Sequence, residues 1–290
     1  MKDSGRKRGR VLNAPWSRRK PDRRSTIDDR RSRRCAWLGA GIAASAVLVA
    51  GVSRLAAQQP PLPDHDSLIS YLDDMYRSQS SHSVMKMTVV RERGTRELTL
   101  EAWTKGEKDA LVVIRAPARE AGTATLMTKE GLWNYAPRAD RLIRIPSGLL
   151  SESWMGSHFT NDDLMRETSY NEDYTSSLSW TERDGTRYLQ VTMTPKPDAP
   201  VVYTKLVFLL TPGDWVPVLW EYYDQGKVVR EMKFSDVRTV SGRKLPLRME
   251  LQPMDKPDEH TVVEYDELQF DVPVGDDLFT RRGLRRVAGS

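Results

Sequence analysis

From Ser83 onward apolar and polar residues alternate. Met85, Met87 and Val89 are separated by Lys86 and Thr88, and Leu98, Leu100 and Ala102 by Thr99 and Glu101. Val191 and Met193, then Leu206, Phe208 and Leu210, then Leu247, Met249 and Leu251 repeat the pattern. A period of two puts successive side chains on opposite faces of a strand, so these segments read as half-buried antiparallel strands. Turns at Gly94, Gly106, Gly131, Gly185, Gly213, Gly226 and Gly242 punctuate the runs at hairpin spacing. The pattern predicts about ten or eleven strands between residues 83 and 272, a single sheet large enough to curl.

Two segments depart from this period. Leu68, Leu72, Met75 and Tyr76 form an apolar stripe, which predicts a helix over 66–81 capped by Asp66. Residues 146–172 show no alternation and interrupt the sheet with an insertion that is apolar in its first half. Within it Thr160 or Asn161 reads as an N-cap, with Asp162 and Asp163 in the first helical turn. An insertion of this length is more often functional than decorative.

Charge divides the chain of 290 residues. Residues 1–34 hold fourteen Lys/Arg and four Asp/Glu, whereas residues 35–290 hold 31 and 36. The basic excess thus lies outside the sheet-forming part, which argues against a nucleic-acid partner. Ala36 to Val52 contains no charged residue, and a basic run followed by an apolar run is an export signature. The expected organisation is a basic cytoplasmic n-region over 1–34 and a signal peptide or membrane anchor over 35–57. A linker over 58–65 and a folded domain over 66–285 follow. Both fates of the apolar segment stay open. The protein is expected to be periplasmic, either cleaved and soluble or anchored in the inner membrane by residues 36–53.

Little in the sequence speaks for catalysis. The only cysteine is Cys35, and His65, His82, His158 and His260 are scattered, so no metal or cofactor is expected. No glycine-rich phosphate loop and no nucleophile elbow occurs. Asp162 and Asp163 point about 100° apart on a helix, which suits capping better than paired acid–base work. Trp220, Tyr222 and Tyr223 share one predicted strand, and a packed sheet face explains them more simply than a ring-binding site. Eight Trp and eleven Met leave more apolar surface than one curved sheet and a helix can cover. A lipid chain would fill that space.

The stretch Leu132–Leu164 carries Trp133-Asn134-Tyr135-Ala136-Pro137, Arg144-Ile145-Pro146, Ser153-Trp154-Met155-Gly156-Ser157-His158-Phe159 and Asn161-Asp162-Asp163-Leu164. In order and spacing it resembles the bacterial outer-membrane lipoprotein-sorting protein family, relatives of the periplasmic (LolA-like) lipoprotein carrier. The resemblance implies a mainly β (α+β) fold, with a single curved antiparallel sheet forming an open, incomplete β-barrel under a short helical lid. It implies a non-enzymatic carrier or chaperone that binds lipid or lipoprotein acyl chains, with an inner-membrane transporter as partner. An envelope sensor resembling the regulators of anti-sigma factors, and less readily an envelope hydrolase, are the alternatives.

The expected cavity residues follow from parity. Trp133 and Tyr135 share one face of a strand, and Ile143 and Ile145 share one face of the next. Leu149, Leu150, Trp154, Met155 and Phe159 of the insertion are expected to fold over that same face as a movable flap.

Overall fold

The computed structural model describes residues 60–166, 170–199 and 201–289. The expected n-region and signal or anchor segment lie outside the described residues. No helix among the described residues is long and apolar enough to cross a membrane.

Among the described residues the first element is helix α1 (His65–Asp74). Its N-cap is Asp64 rather than Asp66, with the Asp64 carboxylate accepting from the Ser67 amide at 3.0 Å. Leu68, Ile69 and Leu72 form the buried stripe. The helix stops well short of residue 81, because the next strand already begins at Ser80. Six strands follow: β1 (Ser80–Arg91), β2 (Gly94–Lys105), β3 (Asp109–Ala116), β4 (Ala124–Thr128), β5 (Gly131–Ala136) and β6 (Arg141–Arg144). The insertion contains short helices α2 (Asn161–Arg166) and α3 (Tyr170–Asp173). The second group of strands is β7 (Tyr174–Arg183), β8 (Thr186–Pro195), β9 (Lys205–Leu210), β10 (Pro217–Asp224), β11 (Lys227–Val240), β12 (Arg243–Pro253) and β13 (His260–Phe270). A 3-10 turn (Asp276–Phe279) and helix α4 (Arg281–Ala288) complete the domain.

The thirteen strands among the described residues belong to one sheet, in the order β6-β5-β4-β3-β2-β1-β13-β12-β11-β10-β9-β8-β7. The sheet is antiparallel throughout, curved and unclosed, with β6 and β7 as its edges. The strand count exceeds the expectation because short strands such as β6 have too few residues to show alternation.

Register carries one apolar stripe across the inner face. Val191 lies opposite Phe208, Phe208 opposite Trp220, Trp220 opposite Met232 and Met232 opposite Leu251. On the other half Val263 faces Met87, which in turn faces Leu98. Directly opposed side chains on one face are the unit of sheet stabilisation. α1 packs onto this inner core through Leu68, Ile69 and Leu72.

A second, smaller core lies on the outer face of β3–β5. Leu111 faces Leu126, and Leu126 faces Trp133. Leu278, Phe279, Leu284 and Ala288 cover them. The C-terminal basic tail of the sequence is therefore a docked amphipathic helix. Thr280 caps it by accepting from the Gly283 amide at 3.0 Å. Gly283 permits the close approach, since a Cβ there would collide with the carbonyls of Asp277 and Leu278.

Candidate functional site

The inner face of the sheet encloses a cavity of about 1380 Å³ of empty space, counting its solvent-open mouth. Met85, Leu100, Ala102, Val112, Met232, Met249 and Val263 contribute apolar walls. Aromatic residues ring it: Tyr76, Tyr170, Tyr174, Tyr203, Trp220, Tyr222 and Tyr265. Trp154, Phe159, Asp162, Asp163 and Leu164 close one side from the insertion.

Charge is sparse and spoken for. Arg77 donates to the carbonyls of Gly106 and Asp109 at 3.0–3.1 Å. Asp163 forms a reciprocal cap with Thr160, whose hydroxyl accepts from the Asp163 amide at 3.1 Å while Asp163 Oδ2 accepts from the Thr160 amide at 2.7 Å. The same carboxylate receives both terminal nitrogens of Arg230, at 2.8 and 3.0 Å. Arg230 lies over the rings of Tyr222 and Tyr203, 4.5 and 5.0 Å from their centroids. Burial opposes its charge, but Asp163 more than offsets that, and the guanidinium pKa is raised. Burial also pushes the phenols of Tyr203 and Tyr222 up. The site is thus a largely apolar chamber with Arg77, Asp162 and the Asp163–Arg230 pair at its wall.

The insertion is fastened mainly by its backbone. Arg91 donates to the carbonyls of Gly156 and Ser157, Arg96 to that of Met155 and Arg230 to that of His158. Thr261 Oγ1 accepts from the His158 amide at 3.0 Å. The His158 ring sits between Thr261 and Glu259, and burial lowers its pKa below the ordinary imidazole value despite the glutamate. The turn itself is tight, with Met155 at φ 48° and Gly156 at φ 71°. Trp154 is only 6 % exposed and donates its indole N–H to Thr125 Oγ1 at 3.0 Å.

Of the nine residues expected at the cavity, Trp154 and Phe159 line it, and Met155 packs against the same core. Trp133 and Tyr135 lie on the outer face, in the core beneath α4. Trp133 faces Leu126 and Tyr135 faces Ala124, both in the outer core, and the β5–β6 register then parts them from Ile143. Trp133 faces Arg144 and Tyr135 faces Leu142, so Ile143 shares a face with Asn134 instead. Ile143 sits on the edge strand at 54 % exposure, Leu149 is 46 % exposed, and Ile145 and Leu150 are partly exposed nearby. Parity within each strand was legible, but parity between two strands depends on the turn joining them. The 3-10 turn Pro137–Ala139 with Asp140 in the left-handed region sets that register.

Arg230 and Tyr203 were missed. An arginine on an alternating strand reads as solvent-facing, and Tyr203 sits outside any periodic run. A paired acidic cap at Thr160–Asp163 was the only local hint that a cation would be needed nearby.

An unclosed antiparallel sheet wrapped round an apolar chamber, with a helix across it, is a fold that several solved structures share. A LolA superfamily protein from Nitrosomonas europaea shares this fold at 22% identity, covering 76% of this chain and 98% of that one, TM-score 0.64. An outer membrane lipoprotein-sorting protein domain from Vibrio parahaemolyticus is similar at 21% identity over 76% of this chain and 98% of that one, TM-score 0.64. A DUF1329 family protein from Desulfovibrio piger is similar at 22% identity over 75% of this chain and 96% of that one, TM-score 0.66. No curated protein matches the sequence significantly. Residues 106–286 match the model of a family described as "Uncharacterized protein"; the match spans more than half of the chain, which belongs to that family.

Proposed function

We propose that the protein is a non-enzymatic periplasmic carrier or chaperone for lipid or lipoprotein acyl chains, acting in lipoprotein sorting or envelope lipid transport. The observation that carries this reading is the apolar chamber on the inner face of the sheet, open to solvent and lined by apolar and aromatic side chains. Each methylene buried there contributes about 0.8 kcal/mol, so ten supply about 8 kcal/mol before ordering costs are subtracted. Asp162 and Asp163 line the wall, and Arg77 is committed to two backbone carbonyls. The chamber thus favours tails and leaves an anionic headgroup at the mouth. Trp154 and Phe159 form a movable side of the chamber. An inner-membrane transporter is the natural donor or acceptor of such cargo.

The test is native mass spectrometry of the full chain with palmitate, alongside displacement of a fluorescent fatty acid. Stoichiometric binding, lost in Ala102→Trp while the circular dichroism spectrum is kept, is the expected result. Ala102 lies on the chamber wall, so a bulky ring there occupies the space of the ligand. Binding that persists in this variant, or that never occurs, rejects the carrier reading and favours a sensor module on the same fold.

A further inference from the structure

Charge on the folded domain is segregated. Residues 129–144 and 276–289 together carry eight Lys/Arg and four Asp/Glu, whereas the rest of residues 60–289 carries 22 and 32. The fold brings the two basic stretches together. Arg285 of α4 meets Asp140, at the turn between β5 and β6, at 3.0 Å. Arg144 lies over Trp133, on the outer face that α4 covers.

Two of the four arginines of α4 are badly placed for helix stability, whereas Arg285 and Arg286 lie in its last turn, where cations are favourable. Arg281 and Arg282 occupy its first turn, where the helix dipole disfavours cations, and both are exposed. Neither makes an ion pair with any described residue. Arg285 and Arg286 pair only with Asp140 and Asp277, whose side chains are themselves largely exposed. Such pairs contribute little. The apolar side of α4 is already spent on Leu111, Leu126 and Trp133 of the outer core. The helix thus presents a net cationic face on which, among the described residues, Arg281 and Arg282 have no counter-charge and Arg285 and Arg286 have only exposed ones. At the adjacent sheet edge Arg144 faces Trp133 and so belongs to the same outer face, whereas the exposed Ile143 lies on the inner one.

We propose that α4 and the β5–β6 hairpin form a docking surface for an anionic lipid bilayer. Guanidinium groups on a rigid helix meet lipid phosphates. Attachment of this kind is peripheral and salt-sensitive, because the helix keeps its apolar side in the protein. The inference stands apart from what the chamber holds.

Residues 1–34 are strongly basic and will bind anionic vesicles by themselves, so the readout must be local. Hydrogen exchange of the full chain is compared on vesicles of phosphatidylglycerol with phosphatidylcholine and on phosphatidylcholine alone. The expected result is slowed exchange in 276–289 and 137–146 on the anionic vesicles only. Arg281→Glu with Arg282→Glu should abolish this protection and, at about fivefold per arginine even before reversal, weaken local occupancy well over tenfold. The fold should survive, since acidic residues in a first helical turn are favourable. Chain held on anionic vesicles with both stretches exchanging as in solution overturns the proposal, and points to an acidic protein for this face. Equal protection on both vesicle types overturns it too.

Discussion

Trp154→Ala separates a movable wall from a permanent plug. A buried tryptophan removes about 150–250 Å² from water, worth about 4–6 kcal/mol at 25 cal/mol per Å². Truncating one in a rigid core costs about 3–5 kcal/mol. The lost hydrogen bond adds little, because the Thr125 hydroxyl keeps its bond to Asn134 Oδ1 at 2.9 Å. In a permanent plug the whole of this loss should appear in global stability. In a movable wall the loss has a ceiling. Once the closed loop is destabilised by more than the free energy needed to open it, the open form becomes the ground state, and further loss no longer registers. Besides the buried Trp154, the loop is held by the His158 ring and by bonds from Arg91, Arg96, Arg230 and Thr261 to its backbone, so the Trp154 ring is its largest apolar fastening. We expect Trp154→Ala to lose less than about 3 kcal/mol in urea denaturation. Exchange at the Trp154 and Ser157 amides should speed up, and fatty-acid uptake should change. A loss at the full 3–5 kcal/mol with unaltered uptake would make the loop a plug and refute the argument.

Two further outcomes follow from the buried charges. Asp163→Asn leaves the Arg230 guanidinium without its counter-charge between two tyrosine rings, and should cost about 3–5 kcal/mol; adding Arg230→Met should recover most of it, and additive losses in the double variant would contradict the pairing. Asp73 has its carboxyl pushed up to about 7, chiefly by burial and then by Asp74. The folded chain therefore holds a proton that an unfolded aspartate releases near pH 4, so stability should fall between about pH 4 and pH 7 and level off above. Asp73→Asn should remove that slope, and an unchanged denaturation profile across this range would count against the assignment.

The inner half of the fold was legible because its strands are long and wet on one side. Met85, Met87 and Val89 alternate cleanly for that reason, and so do Leu247, Met249 and Leu251. β4 hid itself, since Ala124, Leu126, Thr125 and Met127 are buried on both faces and show no period. The outer core was invisible for a related reason. Leu284 and Ala288 were masked by the four arginines between and around them, although Thr280 was an available cap. At the site, the apolar half of the insertion announced itself through Trp154 and Phe159. Trp133 and Tyr135 were assigned to the wrong face, because their face is set by pairing with β4, which shows no alternation of its own.

The order of strands has a kinetic meaning. β1 sits in mid-sheet, yet only one of its neighbours follows it directly; the other is the last strand of the chain, with Ser81 paired to Phe270. Every other pairing joins strands adjacent in sequence. Two arms, 80–144 and 174–270, can therefore zip up locally as successive hairpins, each on its own schedule. Their union waits for a single long-range closure, the step that carries the greatest loop entropy and so sets the pace. A chain interrupted before residue 260 would possess nearly all of its hairpins and still expose a bare strand edge where its centre should be. Synthesis, in effect, finishes this sheet in the middle.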